Sequence, residues 1–382
     1  MDKSTVHITL VGGQPMPVYI GILAVKPRSV WLIHSKSSDE EASIIANNCG
    51  VEDVKKMEFP AVDYPRILEL SSGLLDELKG EEIIINISSG TKPWAVAFAL
   101  LSVNLPNVSL VYVDQNHHVY NITKGENLPL DLQMDINTIL RYNHRKVSRR
   151  TSLDKYTEDD KKVLEETQQL RNFNADDFNE LTIPHDKKKR NAIKQELEYK
   201  DKRPTGSQIH YKRKANLISI ILKRTIKGRP VILPKTLISP HVKDIVFNAG
   251  WFEYKVARIL SSWRYQREIW LNVSFPYLNG APKNEIDIIV NANNKLLFIE
   301  CKTQIFDITD IDKFRSAVKN YGGMSSKAIF ITDTKEMKTE ALQKCEDNGI
   351  MAFCMGGYKS EEQCKADLFA LLEKEMLNIN KR

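Results

Sequence analysis

Cysteine is scarce and badly placed for crosslinking. The five residues, Cys49, Cys301, Cys345, Cys354 and Cys364, are odd in number, scattered and never in C-x-x-C spacing. Neither a disulfide framework nor a zinc site is indicated, and they read as packing residues. An uncharged apolar run of about 18 residues is absent, and MDKSTVHITLVGG at the start lacks the basic, apolar and small-residue regions of a signal peptide. These absences predict a cytoplasmic protein that engages no membrane. There is no G-x-x-x-x-G-K-[ST] loop, which excludes ATP hydrolysis of the P-loop kind, and no internal repeat of solenoid period.

What is present suffices for a packed protein. Hydrophobic residues make up 42% of the chain and charged ones 27%, outside the range of wholesale disorder. A length of 382 residues exceeds what one core ordinarily supports, so two or three domains are expected. The net charge of +6 is unevenly spread: residues 141–240 hold 25 Lys and Arg against 13 Asp and Glu, while the remainder holds 30 against 36. A basic middle attracts polyanions, nucleic acid first among them, although a solvated linker face would have the same composition.

Over residues 1–125, apolar runs such as VHITLVG, SVWLIHS, EEIIINIS and SLVYVD alternate with helical patterns such as PRILELSSGLLDEL and PWAVAFALLSV. Strands alternating with helices predict a parallel sheet covered on both faces, a Rossmann-like α/β architecture. Residues 136–239 are polar and basic and read as a helical connecting region, with ANLISIILKRTI as an apolar helix in what could be a small winged-helix-like unit. From Pro240 a third pattern begins: the helix GWFEYKVARILSSW, the strands IWLNVSF, NEIDIIVNA and KLLFIECKT, a helix to Tyr321, the strand KAIFIT, and helices to the end. The expected domains are therefore 1–135, 136–239 and 240–382, the last also α/β.

The strongest chemical signal is the pair of apolar strands around Asp287 and around Glu300-Cys301-Lys302, joined by an Asn-rich loop at 291–295. Glu300 and Lys302, two apart on a strand, share a face, and Asp287 on the partner strand can meet them. Hydrolysing a phosphodiester calls for Mg²⁺ or Mn²⁺ held by carboxylates, which Asp287 and Glu300 supply, and for a cation beside them, which Lys302 supplies. Charged edges on solvated strands would explain the same spacing. Against that stand Ile288-Ile289-Val290 and Leu297-Phe298-Ile299, which mark buried strands where a charge is costly unless paired or metal-bound. Gln304 and Lys313 are weaker candidates for substrate contact, and Trp251 reads as core.

The second signal is Ile83–Trp94, a buried strand, the turn Ser88-Ser89-Gly90-Thr91-Lys92 and an apolar helix opened by Pro93. Free amides and the dipole at a helix start make an anion site, so Ser89, Gly90, Thr91 and Lys92 would surround a phosphate. The first strand ends in Gly12-Gly13-Gln14-Pro15 and the next in His34-Ser35-Lys36-Ser37-Ser38. In a parallel sheet these ends line one crevice, which adds Gly12, Gln14, Ser35 and Lys36 to a candidate ligand pocket. Ordinary β–α turns would account for each loop singly.

With these motifs in place, E-I-D followed at thirteen residues by E-C-K resembles the PD-(D/E)xK restriction-endonuclease-like superfamily, and Gly250-Trp251-Phe252-Glu253 matches its preceding acidic helix. The resemblance implies metal ligation by Glu253, Asp287 and Glu300 and a catalytic Lys302; Ile286 stands where that family has proline. The S-x-G-T-K turn resembles the ligand loop of the CARF (CRISPR-associated Rossmann fold) domain, and the chain as a whole looks like the CARF nucleases of type III CRISPR defence. That resemblance implies a homodimer sensing a cyclic oligoadenylate, often the tetra-adenylate. It also implies a metal-dependent endonuclease that cleaves single-stranded RNA or DNA or nicks duplex DNA. The other reading is a ligand-responsive, DNA-binding transcription regulator that works through the basic middle.

Overall fold

A computed structural model describes residues 5–143, 145–184, 186–277, 282–303, 309–323 and 326–377. The chain divides into two compact units, residues 1–146 with 321–325, and residues 147–320 with 326–382.

In the first unit, the strands β1 (Thr5–Leu10), β2 (Ser29–His34), β3 (Asp53–Glu58), β4 (Glu82–Asn86) and β5 (Val108–Val113) alternate with helices α1 (Pro15–Val25), α2 (Asp39–Asn48), α3 (Tyr64–Glu77) and α4 (Lys92–Ser102). The short strands β6 (Val119–Asn121) and β7 (Glu126–Leu128) and helix α5 (Ile136–Tyr142) follow. The sheet order is β3-β2-β1-β4-β5-β6-β7. The first five strands are parallel, and β6 and β7 add an antiparallel edge. The two faces are buried by different side chains of the same strands. Val6, Ile8 and Leu10 pack with Ile83, Ile85, Trp94 and Phe98 on the α3/α4 side, whereas Val11, Val30 and Leu32 pack with Val18, Ile22, Ala42 and Ile45 on the α1/α2 side. Period-two alternation between two apolar layers is why these strands read as continuous apolar runs. The Rossmann-like expectation holds, although β3, whose outer positions are polar, is not among the anticipated strands.

The second unit opens with β8 (Arg149–Ser152) and the helices α6 (Glu158–Phe173), α7 (Ala175–Thr182) and α8 (Lys187–Gln195). Four strands follow, β9 (Glu198–Lys202), β10 (Gln208–Lys212), β11 (Leu217–Ile226) and β12 (Arg229–Ile238), in an antiparallel sheet of order β12-β11-β10-β9. The segment expected as the helix ANLISIILKRTI is β11. Its buried residues Ile218, Ile220 and Leu222 fall at period two, the isoleucine-rich run suits a pleated surface, and the Lys227-Gly228 turn, both residues at positive φ, pairs it with β12.

After α9 (Val242–Val246) and α10 (Gly250–Leu260) come β13 (Gln266–Pro276), β14 (Pro282–Ala292), β15 (Lys295–Lys302), α11 (Thr309–Tyr321), β16 (Lys327–Thr332), α12 (Thr339–Asp347), β17 (Met351–Cys354) and α13 (Glu361–Leu377). The sheet order is β17-β16-β15-β14-β13-β8. β17 replaces part of the all-helical end expected from the sequence. The expected division at 239/240 does not follow the packing. β8 pairs with β13, and Val163, Phe178, Ile220 and Leu237 share one core with Trp251, Phe252, Ile288 and Leu297. Residues 147–239 thus build the same unit as the E-x-K strand. Buried Asp160 ties them further, accepting bonds from the Thr157 amide at 2.7 Å, the His241 amide at 3.1 Å and His241 Nδ1 at 3.0 Å. Among the described residues, no helix is long and apolar enough to cross a membrane.

Candidate functional site

The acidic cluster is built on the two central strands of the six-stranded sheet and the helix beneath them. β14 and β15 meet through Asn293-Asn294, both at positive φ (51° and 65°), a tight turn of the kind that matches strand twist; Asn291 Oδ1 accepts from the Asn294 amide at 3.0 Å. The register Ile288↔Ile299 follows, so the chain reaches Asp287 on one strand as it reaches Glu300 on the other. Asp287 Oδ2 accepts from the Cys301 amide at 2.7 Å. Lys302 Nζ donates to Glu300 Oε1 at 2.6 Å. Glu253, one turn into α10, completes the set.

These four groups act on one another. Burial, and then the Asp287 carboxylate, push Glu253 well above the usual carboxylate range. Asp287 is raised chiefly by burial, with Lys302 and the Cys301 amide opposing. For Glu300, burial and Asp287 raise the value to about 8. Burial works against the Lys302 charge, but Asp287 and Glu300 outweigh it and hold the ammonium above its ordinary range. Three carboxyl groups beside one ammonium, held toward their protonated forms while no cation replaces the protons, supply the oxygen donors that a divalent ion takes, so the donor chemistry fits Mg²⁺ or Mn²⁺. Among the described residues, no three acidic, histidine or cysteine side chains converge on one point at metal-bonding distance. One oxygen of Glu300 is engaged by Lys302 and one of Asp287 by the Cys301 amide.

A neighbour that sequence reasoning missed is Arg171 on α6. Its guanidinium lies 4.6 Å from the Trp251 ring centroid and pairs with Asp333 at 2.7 Å, and the Asp333 amide donates to the Lys302 carbonyl at 3.2 Å. Arg171 therefore braces the end of the E-x-K strand from the region that composition marked as a connector. No sequence signal distinguishes it from other helix arginines. Trp251 is buried, as expected. Lys313 is exposed and paired with Asp310 at 3.1 Å, and Gln304 lies outside the described residues.

In the first unit, chain order reverses between β1 and β4, the switch point where open α/β sheets take ligands. Helices α1 and α4 both start there, each with proline in its first turn and neither with its N-cap side chain bonded to the helix amides. The two loops touch. The Gly12 amide donates to Ser89 Oγ at 3.1 Å, and Ser89 Oγ donates to the Gln14 carbonyl at 3.2 Å. A β-carbon on Gly12 would lie 2.9 Å from Gly90 N; one on Gly90, at φ +76°, would lie 2.8 Å from Leu10 Cβ and from Trp94. Two adjacent helix starts with free-standing polar loops make an anion-binding edge.

Of the predicted pocket residues, Gly12, Gln14, Ser89, Gly90 and Thr91 gather at this junction. Lys36 and Lys92 are exposed. Ser35 is turned inward: its hydroxyl bonds Ser37 at 2.9 Å, and its amide bonds the hydroxyl of Ser38, which in turn donates to the Val11 carbonyl. Ser35 therefore shapes the loop. Asn86, missed from the sequence, is fully buried at the end of β4. It donates to the Pro17 carbonyl at 3.1 Å and accepts from Ser88 Oγ, which accepts from the Val113 amide at 2.6 Å. A polar residue closing a buried apolar strand was the available signal.

Residues 6–142 match the Card1 CARF domain, and the chain carries a CARF domain there. No curated protein matches the chain in sequence. Can2 from Sulfobacillus thermosulfidooxidans, solved in complex with cyclic tetra-adenylate, aligns over 97% of this chain and 99% of its own, with a TM-score of 0.67 and 18% identity. Protein VC1899 from Vibrio cholerae aligns over the same shares, with a TM-score of 0.73 and 17% identity. A type III CRISPR defence DNA nuclease activated by cyclic oligoadenylate aligns over 87% of this chain, which spans 46% of that protein, with a TM-score of 0.54 and 15% identity. Likeness at these identities establishes a shared fold.

Two outcomes follow for the sites. Gly90→Ala combines a strained φ with two close contacts and will lower the melting temperature by several degrees, whereas Gly13→Ala, with nothing within 4 Å, will leave it unchanged; equal melting curves would refute the packed junction. Glu300 has a folded pKa, about 8, above its unfolded value, so the metal-free fold gains from its proton at low pH and loses that gain as pH rises toward 8. Glu300→Gln will therefore raise the melting temperature in EDTA at pH 8 and have little effect at pH 4.5. A shift independent of pH would show that the carboxyl is not held protonated.

Proposed function

We propose that this chain, on the strength of its CARF domain at residues 6–142, is a nuclease switched on by a cyclic oligoadenylate in type III CRISPR defence. The observation that carries the catalytic half is the half-buried set of Glu253, Asp287 and Glu300 around Lys302, carried on a helix and two strands that share one packed core. A pure binding module has no use for three carboxyl groups gathered around one ammonium at the edge of a core.

Asp287 and Glu300, with Glu253, would hold Mg²⁺ or Mn²⁺. Such an ion, when bound, neutralises phosphoryl oxygens and acidifies water. Lys302, held cationic by the carboxylates beside it, would orient water and stabilise charge developing on the phosphate. Glu300 would give up its proton to hold a cation near neutral pH, so metal affinity would rise toward pH 8. Arg171 and Asp333 keep the Lys302 end of the strand in place.

The sensing half rests on the glycine-locked junction of β1 and β4, with two helix starts offered to the phosphates of the activator. A cyclic ligand of repeated nucleotides suits a two-fold pair of such junctions, and an apolar patch supports a second copy. Val96 and Leu100 on α4 and Val103 just past its end are exposed at helical spacing, and Tyr112 and Tyr120, paired across β5 and β6, are exposed too. An open stripe of this kind on a protein surface marks an interface. Activation then requires that the activator bind the cleaving arrangement better than the resting one. The substrate is nucleic acid, RNA or DNA.

With Mn²⁺, labelled oligonucleotides and plasmid will be cut when cyclic tetra-adenylate is added. Glu300→Ala and Lys302→Ala will each slow cutting by about 10²-fold or more; unchanged rates in both would sink the assignment. In sedimentation, the wild type will run as a dimer and Leu100→Glu as a monomer, and a monomeric wild type would remove the paired-pocket reading.

A further inference from the structure

The antiparallel sheet β9–β12 leaves one face open, and that face is divided by chemistry. Its inner side buries Tyr199, Ile209, Tyr211, Ile218, Ile220, Leu222 and Leu237 in the core of the unit. Strand alternation then turns the intervening residues outward, and the register lays them out in rows. Glu198, Lys212, Leu217 and Ile238 lie across the four strands, then Lys200, His210, Ser219 and Thr236, then Lys202, Gln208, Ile221 and Pro234; Lys223 and Ile232 form a shorter row. β9 and β10 thus present Lys200, Lys202 and Lys212, and β11 and β12 present mainly aliphatic side chains, interrupted by Ser219, Thr236 and Lys223. Ile232 and Ile238 are about half exposed, at 53% and 54%.

The basic half is only lightly compensated. Glu198, the sole carboxylate in these rows, accepts from His210 at 3.2 Å and lies 3.5 Å from Lys200. Among the described residues, no ion pair involves Lys202 or Lys212. Asp201 on the inward side is bound to Lys189 at 2.5 Å. Where the two middle rows meet, a depression of about 450 Å³ is lined by Lys200, Lys202, Gln208, His210, Ser219 and Ile221, with Asp201, already paired with Lys189, and Ile209 reaching it from the inward side. Cations, amide and hydroxyl groups along one side and aliphatic surface along the other match a chain with charged links and unpaired flat rings. A duplex offers the charge but keeps its rings stacked inside. A second copy of this face would repel it.

We propose that the outer face of β9–β12 is a binding surface for single-stranded nucleic acid, with the phosphodiester backbone over Lys200, Lys202 and Lys212 and the bases against Ile221, Ile232 and Pro234. The proposal deepens the nuclease reading and rests on it for the identity of the strand as substrate. Because β9–β12 shares its core with the E-x-K strand, the surface belongs to the same unit as the acidic cluster.

The test is fluorescence anisotropy of a labelled 20-nucleotide single strand, RNA and DNA in separate arms, titrated with full-length protein in EDTA from 50 to 200 mM NaCl. Lys202→Glu/Lys212→Glu will weaken binding at least tenfold at 50 mM. It will also flatten the dependence of log affinity on log salt by about 1.4, two phosphates at about 0.7 each. Lys359→Glu/Lys374→Glu, a charge-matched pair of exposed lysines elsewhere, will leave the slope unaltered. Ile232→Ser will weaken binding of a base-bearing strand while sparing an abasic one of the same length. Equal affinities and slopes for the wild type and the Lys202/Lys212 variant would overturn the proposal, as would an equal effect of the control pair. Preference for a duplex of the same length would do so too. Cleavage is not read in EDTA, so a protein that binds through these lysines yet never cuts would remove the nuclease reading alone.

Discussion

Lys302 is the residue that makes the second unit possible as built. Three carboxylates inside one core would each be forced toward the neutral acid, and a single ammonium at the end of β15 offsets part of that cost by bonding Glu300 and by its field at Asp287 and Glu253. The surrounding architecture serves to keep this cation in place. A strand of buried aliphatic residues carries it, Asp333 holds its carbonyl, and Arg171 holds Asp333. The helix α6 that supplies Arg171 comes from the stretch that is most polar in composition, so the least promising part of the sequence buttresses the most reactive part of the fold.

The first unit rests on close approach where the second rests on charge. Two glycines let the loops after β1 and β4 come within contact distance, and Asn86, which bonds the Pro17 carbonyl and Ser88 Oγ, gathers α1, β4 and β5 together with Ser88, whose hydroxyl accepts from the Val113 amide. Gly21 belongs to the same device, since a β-carbon there would lie 2.2 Å from Asn86 Nδ2. The junction is therefore shaped before any ligand arrives, which lowers the ordering cost that binding must meet.

Much of this was legible in the residues, for reasons that differ by element. β4 and β15 declare themselves because they are buried on both faces, and α3 because its apolar residues keep helical spacing. The E-x-K pair was legible because alternation on a strand is strict. β11 was misread as a helix because its isoleucines, with small and polar residues between, satisfy either period over a short window, and only pairing with β10 and β12 decides. Ser35 was placed in the candidate pocket because its strand ends on the same edge as the Gly12 loop and the Ser89 loop; a local turn of serine hydroxyls engages its side chain. Arg171 and Asp333 meet only through the tertiary fold, and their spacing in the chain carries no trace of it.

The two-residue turn at Asn293-Asn294 has a bearing on how this protein can change over generations. Side chains on a strand alternate with a period of two, so the meeting of Asp287 with Glu300 depends on parity as well as distance. One residue inserted into either arm of the hairpin would turn its carboxylate to the opposite face. One residue inserted in each arm would only lengthen the ribbon, whereas two in one arm would keep the face but slide Asp287 two positions past Glu300. Drift in this hairpin is thus confined to even steps, and lineages that keep the chemistry should differ in its length by pairs of residues.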